Sequence, residues 1–144
     1  MYDNILVPTD GSTEAVKGED HGVELAAAVG ATVHALYVVE KGGNPWDSES
    51  MENQQQRARE YGEGVLNDVA SAAEGLGVEA ETAVEVGPRV HEEINEYVEE
   101  HDIDLIVMGS GYRGRLGGLL GSTAEKVLRS AEVPVTTLRR HENE

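Results

Sequence analysis

Short apolar runs alternate with stretches of helical periodicity along the whole chain, the pattern of a parallel β-sheet flanked by helices. Ile5-Leu6-Val7 predicts a short buried strand ending at the turn Pro8-Thr9-Asp10-Gly11-Ser12. A helix follows to about residue 29, and Gly30 stands where a left-handed residue closes a helix. Thr32 to Val39 predicts the second strand, which opens onto the longest loop, Glu40 to Ser48. Tyr61, Val65, Leu66, Val69, Ala72, Ala73 and Leu76 fall on one helical stripe that Gly75 and Gly77 terminate. Val78 to Val86 predicts a third strand, and Val90, Ile94, Tyr97 and Val98 mark a third helix. Ile103 to Met108 predicts a central fourth strand, a fourth helix begins near Ser122, and Val133 to Leu138 predicts the fifth strand.

Parallel strands joined by right-handed crossovers bind ligands at their carboxyl ends, where the winding direction reverses. Strands one and four flank that point, so Asp10, the segment Val38 to Glu40 and the loop after Met108 converge on one rim. Six of the thirteen residues from 109 to 121 are glycine, and Arg113 and Arg115 lie among them. Glycines let backbone N–H groups approach a phosphate closely, while Ser122 and Thr123 sit where a helix N-terminus concentrates partial positive charge. The tail of a nucleotide suits such a loop.

The stretches Ile5 to Ser12, Ala35 to Val39, Val107 to Ser110 and Leu120 to Leu128, followed by Val133-Pro134-Val135, resemble the universal stress protein family in its order and over essentially the whole chain. The resemblance implies one domain spanning residues 1–144. It also implies a three-layer α/β/α sandwich whose five-stranded parallel sheet, of Rossmann-like (adenine nucleotide alpha hydrolase-like) type, has the order 3-2-1-4-5. One branch of the family binds ATP through glycine, two residues, glycine, nine residues, glycine and then serine or threonine; another lacks the motif and binds no nucleotide. Read from Gly111, the second glycine is Gly114, but six residues separate it from Gly121. Read from Gly109, the second position is Tyr112 and the loop is one residue short. Loop length changes cost little closure entropy, whereas phosphate positioning is less forgiving.

By this resemblance the nucleotide contacts fall on Pro8, Thr9, Asp10, Val38, Met108, Gly109, Ser110, Gly111, Arg113, Gly114, Gly121, Ser122 and Thr123. Asp10 is similar to the family aspartate that meets the adenosine portion, and it equally suits a turn before the first helix. Val38 would offer backbone groups to the adenine edge. Ser122 followed by Glu125 reads as a capping box, which leaves the next N–H groups for a phosphate. Guanidinium forks at Arg113 and Arg115 suit phosphate oxygens, and both also suit solvated loop charges. Trp46 reads as packing on its own domain, the alternative being a lid over a base. No histidine has convincing ligand spacing, so no protein metal site is expected, although Mg²⁺ can arrive with ATP phosphates. The acidic run from Glu92 to Glu100 is a solvated helix face. GxSxG and the Walker lysine are missing, which leaves at most slow ATP hydrolysis. Pro134 confines the fifth strand to an edge, and in the family this strand meets its copy in a homodimer. The implied function is a stress-response sensor or adaptor that binds ATP, or, with the loop packed shut, a dimer acting through protein interactions.

Composition narrows the setting. A chain of 144 residues buries about 68 to 70% of its unfolded surface, enough for one core. The formal charge of −17, with 28 acidic and 11 basic residues, argues against binding nucleic acid or an anionic membrane. Cysteine is absent, which excludes disulfides and thiolate chemistry. The opening Met1 to Pro8 has neither a basic n-region nor an apolar run of signal length, so a cytoplasmic location is expected. An acidic, lysine-poor chain without phenylalanine resembles proteins of salt-accumulating halophiles, in which salt screens self-repulsion. The unfolding midpoint, followed by circular dichroism, should therefore rise by several degrees from about 0.1 M to about 2 M KCl. A midpoint indifferent to KCl would remove the halophilic reading.

Overall fold

Strand β1 (Asn4–Pro8) is buried along Ile5, Leu6 and Val7 because helices cover both of its faces. In the computed structural model, which describes residues 1–41, 46, 50–111 and 120–139, the elements alternate strictly. They continue through α1 (Thr13–Val29), β2 (Thr32–Glu40), α2 (Met51–Gly75), β3 (Ala80–Gly87), α3 (Val90–Glu100), β4 (Leu105–Gly109), α4 (Ser122–Ser130) and β5 (Val135–Leu138). The sheet is parallel with the order β3-β2-β1-β4-β5, as predicted. Because β2 and β4 lie on opposite sides of β1, the winding reverses between β1 and β4 and leaves a crevice at their carboxyl ends.

Period-two alternation sorts the core into two layers. Ile5, Val7, Val33, Ala35, Leu105 and Val107 face α1 and α2, meeting Val23, Ala26, Leu66, Val69 and Ala73. Leu6, Leu36, Ile106 and Met108 face α3 and α4, meeting Ile94, Tyr97, Ala124 and Val127.

Helix α1 starts at Ser12, whose hydroxyl accepts from the Ala15 N–H, and stops at Gly30, left-handed with φ 76°. Its packing on β4 depends on missing side chains. A methyl group on Gly18 would lie 2.5 Å from the Gly109 backbone nitrogen, so helix and strand touch through main chain. The stripe on α2 is narrower than the periodicity predicts. Leu66, Val69 and Ala73 are buried, whereas Ala72 and Leu76 are exposed, and Gly62 takes a buried place against the Tyr37 ring. Trp46, expected to pack on the domain, is 92% exposed. Strand β5 is an edge, and Pro134 just precedes it and accepts through its carbonyl from the Ile106 N–H.

His34 is a buried polar residue that periodicity did not single out. The Tyr97 hydroxyl lies 2.8 Å from Nδ1 and the Asn4 side-chain oxygen 3.0 Å from Nε2, an arrangement satisfied by a neutral ring carrying its proton on Nε2. Burial holds this imidazole below its ordinary pKa, against the opposing pull of the Glu81 carboxylate. The neutral form therefore favours the fold, and its contribution is present above the unfolded value of about 6.5 and lost as pH falls below it.

Gly18→Ala should lower the unfolding free energy by about 1 to 3 kcal/mol in urea titrations, and wild-type stability would rule out the backbone contact as described. The unfolding free energy should also decline as pH falls from about 7.5 to about 5.5, a component that His34→Phe abolishes. An unchanged pH profile in that variant would place the titration elsewhere.

Candidate functional site

The crevice between β1 and β4 widens into a cleft of about 300 Å³. Leu36, Val38 and Met108, from the ends of β2 and β4, make an apolar floor, and Val90 and Ile94, one turn apart on α3, form one wall. The rest of the lining is main chain and small side chains: Pro8, Thr9, Asp10, Ser12 and Ala15 from the end of β1 to the start of α1, then Gly109, Gly111, Gly121, Ser122, Thr123 and Ala124. An apolar interior with a few convergent polar groups is the usual make-up of a small-molecule site.

Ten of the thirteen residues expected at the site line this cleft: Pro8, Thr9, Asp10, Val38, Met108, Gly109, Gly111, Gly121, Ser122 and Thr123. Ser110 stands behind the lining, 6% exposed. Its N–H donates to Leu138 and its carbonyl accepts from the Gly121 N–H at 2.8 Å, tying β5 and the start of α4 to β4. Arg113 and Gly114, like Arg115, lie outside the described residues. The sequence reading missed Ser12, Ala15, Leu36, Val90, Ile94 and Ala124. Alternation from Val38 points to Leu36, and helical spacing pairs Val90 with Ile94, but which face meets a ligand depends on which helices cover that side of the sheet.

The capping box at Ser122 is not formed. Gly121 is the cap, extended at φ −68° and ψ 161°, and its carbonyl accepts the Glu125 N–H, which makes Ser122 the first helical residue. Glu125 instead receives Arg129 at 2.8 Å, one turn on. A glycine cap brings no side chain to the first turn of α4, whose leading residues Ser122, Thr123 and Ala124 line the cleft.

Two glycines have structural duties as well. A side chain on Gly109 would collide with the Glu14 carbonyl of α1, and a methyl group on Gly121 would lie 2.6 Å from the Gly111 carbonyl oxygen. Gly111 is left-handed, with φ 73°.

The turn after β1 is fixed from both sides. The Asp10 carboxylate accepts from the Ser12 N–H at 2.9 Å, and the Thr9 hydroxyl accepts from the Gly11 N–H at 3.1 Å and donates to Glu19. Outside, Tyr61 and Val65 of α2 pack against Gly11, which is left-handed at φ 78°. Burial raises the Glu19 pKa above the usual carboxylate range, the Thr9 hydrogen bond opposing and nearby Asp20, Asp68 and Asp10 adding to the rise.

The profile of the universal stress protein family matches residues 1–139, and the chain belongs to that family. A universal stress protein of Methanocaldococcus jannaschii is 35% identical over 148 residues, covering 100% of this chain and 86% of that protein. Among solved structures, a universal stress protein family member from Burkholderia pseudomallei is 30% identical, with a TM-score of 0.80 and coverage of 96% of this chain and 97% of that one. The fold also matches a universal stress protein from Archaeoglobus fulgidus solved in complex with dAMP, at a TM-score of 0.67 and 23% identity, covering 96% and 98% of the two chains.

A carboxylate at position 122 would occupy the positive end of α4 in place of an anionic ligand. Ser122→Asp should thus leave stability unchanged or raise it by about 0.3 to 1 kcal/mol in urea titrations. A loss of stability would show that the end of α4 is already neutralised.

Proposed function

We propose that this protein binds an adenine nucleotide, ATP foremost, in the cleft between β1 and β4 and acts through occupancy as a cytoplasmic stress-response sensor or adaptor. The observation that carries the reading is the pairing of an apolar floor, Leu36, Val38 and Met108, with the glycine-capped start of α4 at the same cleft. A flat aromatic base suits the first, and phosphate oxygens suit the second. Structures of the same fold have been solved with dAMP, cAMP and AMP, which supports an adenine nucleotide as the ligand class.

In this reading Asp10 faces the ribose side, Val38 presents backbone groups to the base, and Gly111, Gly121, Ser122 and Thr123 cradle phosphate together with Arg113 and Gly114. Any Mg²⁺ would come with the phosphates of ATP. Among the described residues of the set the only carboxylate is that of Asp10, which accepts from the Ser12 N–H within its own turn, and this supports slow turnover or none. The outer side of β5, at the sheet edge, supports a homodimer through residues 133–138. A second reading, a dimer that works through protein contacts without nucleotide, draws support from the packing duties of Gly109 and Gly121 and from the internal bond of the Gly121 N–H.

Isothermal titration in high KCl should detect ATP binding at up to millimolar ligand, and Ser122→Asp should weaken it at least tenfold through repulsion of the phosphates. Absence of heat for the wild-type protein would favour the second reading.

A further inference from the structure

The ligand-facing turn hangs on a group that is no part of the cleft. Glu19 lies in the second turn of α1, half-buried, and among the described residues its side-chain hydrogen bond comes from the Thr9 hydroxyl. That hydroxyl has one proton to give. Donation to Glu19 fixes the rotor so that an oxygen lone pair meets the Gly11 N–H at 3.1 Å. The Thr9 backbone is itself anchored, its N–H donating to the Leu36 carbonyl at 2.9 Å. Between this bond and the Tyr61–Val65 wall, Gly11 is held left-handed, and Asp10, the residue before it, borders the cleft.

We propose that Glu19 is a positioning residue: through the Thr9 hydroxyl it holds the Asp10 turn in the conformation that receives the ligand. The inference rests on the nucleotide reading of the cleft. Its chemistry sets it apart from simple packing. Among the described residues, Asp10, Asp20 and Asp68 are the charged groups that bear on Glu19, and all three are anions, so keeping a fourth carboxylate half-buried among them costs stability. A side chain serving the core alone would be apolar there. What this carboxylate supplies is a strong acceptor, aimed at a hydroxyl two residues from the glycine that sets the turn.

Glu19→Ala and Glu19→Gln separate the two roles. In Glu19→Ala the Gly11 amide should exchange with solvent about fivefold faster by NMR, and the affinity for AMP in titration calorimetry should fall about fivefold, the worth of one hydrogen bond. The urea midpoint should stay level or rise, because a repelled anion has been removed. Glu19→Gln, whose amide oxygen accepts the same bond, should restore both the exchange rate and the affinity. Wild-type Gly11 exchange in Glu19→Ala would overturn the proposal, as would faster exchange with undiminished AMP affinity. If the wild-type protein binds no AMP or ATP while Gly11 exchange still responds to Glu19, the nucleotide reading fails and the positioning of the turn stands.

Discussion

The direct contact between α1 and β4 is the constraint on which the rest of the structure depends. Gly18 against Gly109 lets a helix and a central strand meet at main-chain distance, closer than any side chain permits. That approach seats the N-terminal end of α1 at the carboxyl ends of β1 and β4, where the reversal of winding opens the crevice. Part of the cleft lining is therefore backbone and small side chains, Ser12, Ala15, Gly111 and Gly121, and the rest is apolar, Leu36, Val38, Val90, Ile94 and Met108 among it. The asymmetry of the site follows from the asymmetry of the packing.

A glycine-rich segment following a strand invites interpretation as a phosphate loop, and the structure divides the described glycines at its ends by duty. Gly109 belongs to the α1 contact, and Gly121 gives way to the Gly111 carbonyl while capping α4. Neither duty conflicts with a ligand. A glycine cap sends no side chain back to the first turn of α4, and main-chain closure at Ser110 holds that turn against β4. The same geometry that stabilises the loop's ends thus directs a helix terminus toward the cleft. In a chain of net charge −17, such a terminus is a local exception to the prevailing field.

Polar groups inside the fold are handled by pairing. Neutral His34 is served by Tyr97 and Asn4, and the phenol of Tyr97 has its pKa pushed up to about 12, chiefly by burial. Neither residue lines the cleft, and their pairing joins β2 to the α3 layer. Glu19 differs: it is a half-buried anion beside other anions, and its bond leads by way of Thr9 into the turn that borders the cleft.

The sequence by itself determined the element order, the parallel sheet and the convergence of Asp10, Val38, Gly109, Gly111 and Gly121 on one rim. Those properties are written in the polarity of neighbours one turn or two residues apart, as in Leu36 with Val38 or Leu66 with Val69 and Ala73. Tertiary structure decided what depends on distances between segments remote in the chain. It made Gly121 the cap instead of Ser122, exposed Tyr61 while setting it against Gly11, buried Gly62 beneath Tyr37, left Trp46 outside the core, and linked Glu19 to Thr9. The physical reason is that close approach and hydrogen-bond partnership are pairwise facts of three-dimensional packing, which no periodicity within a single helix or strand records.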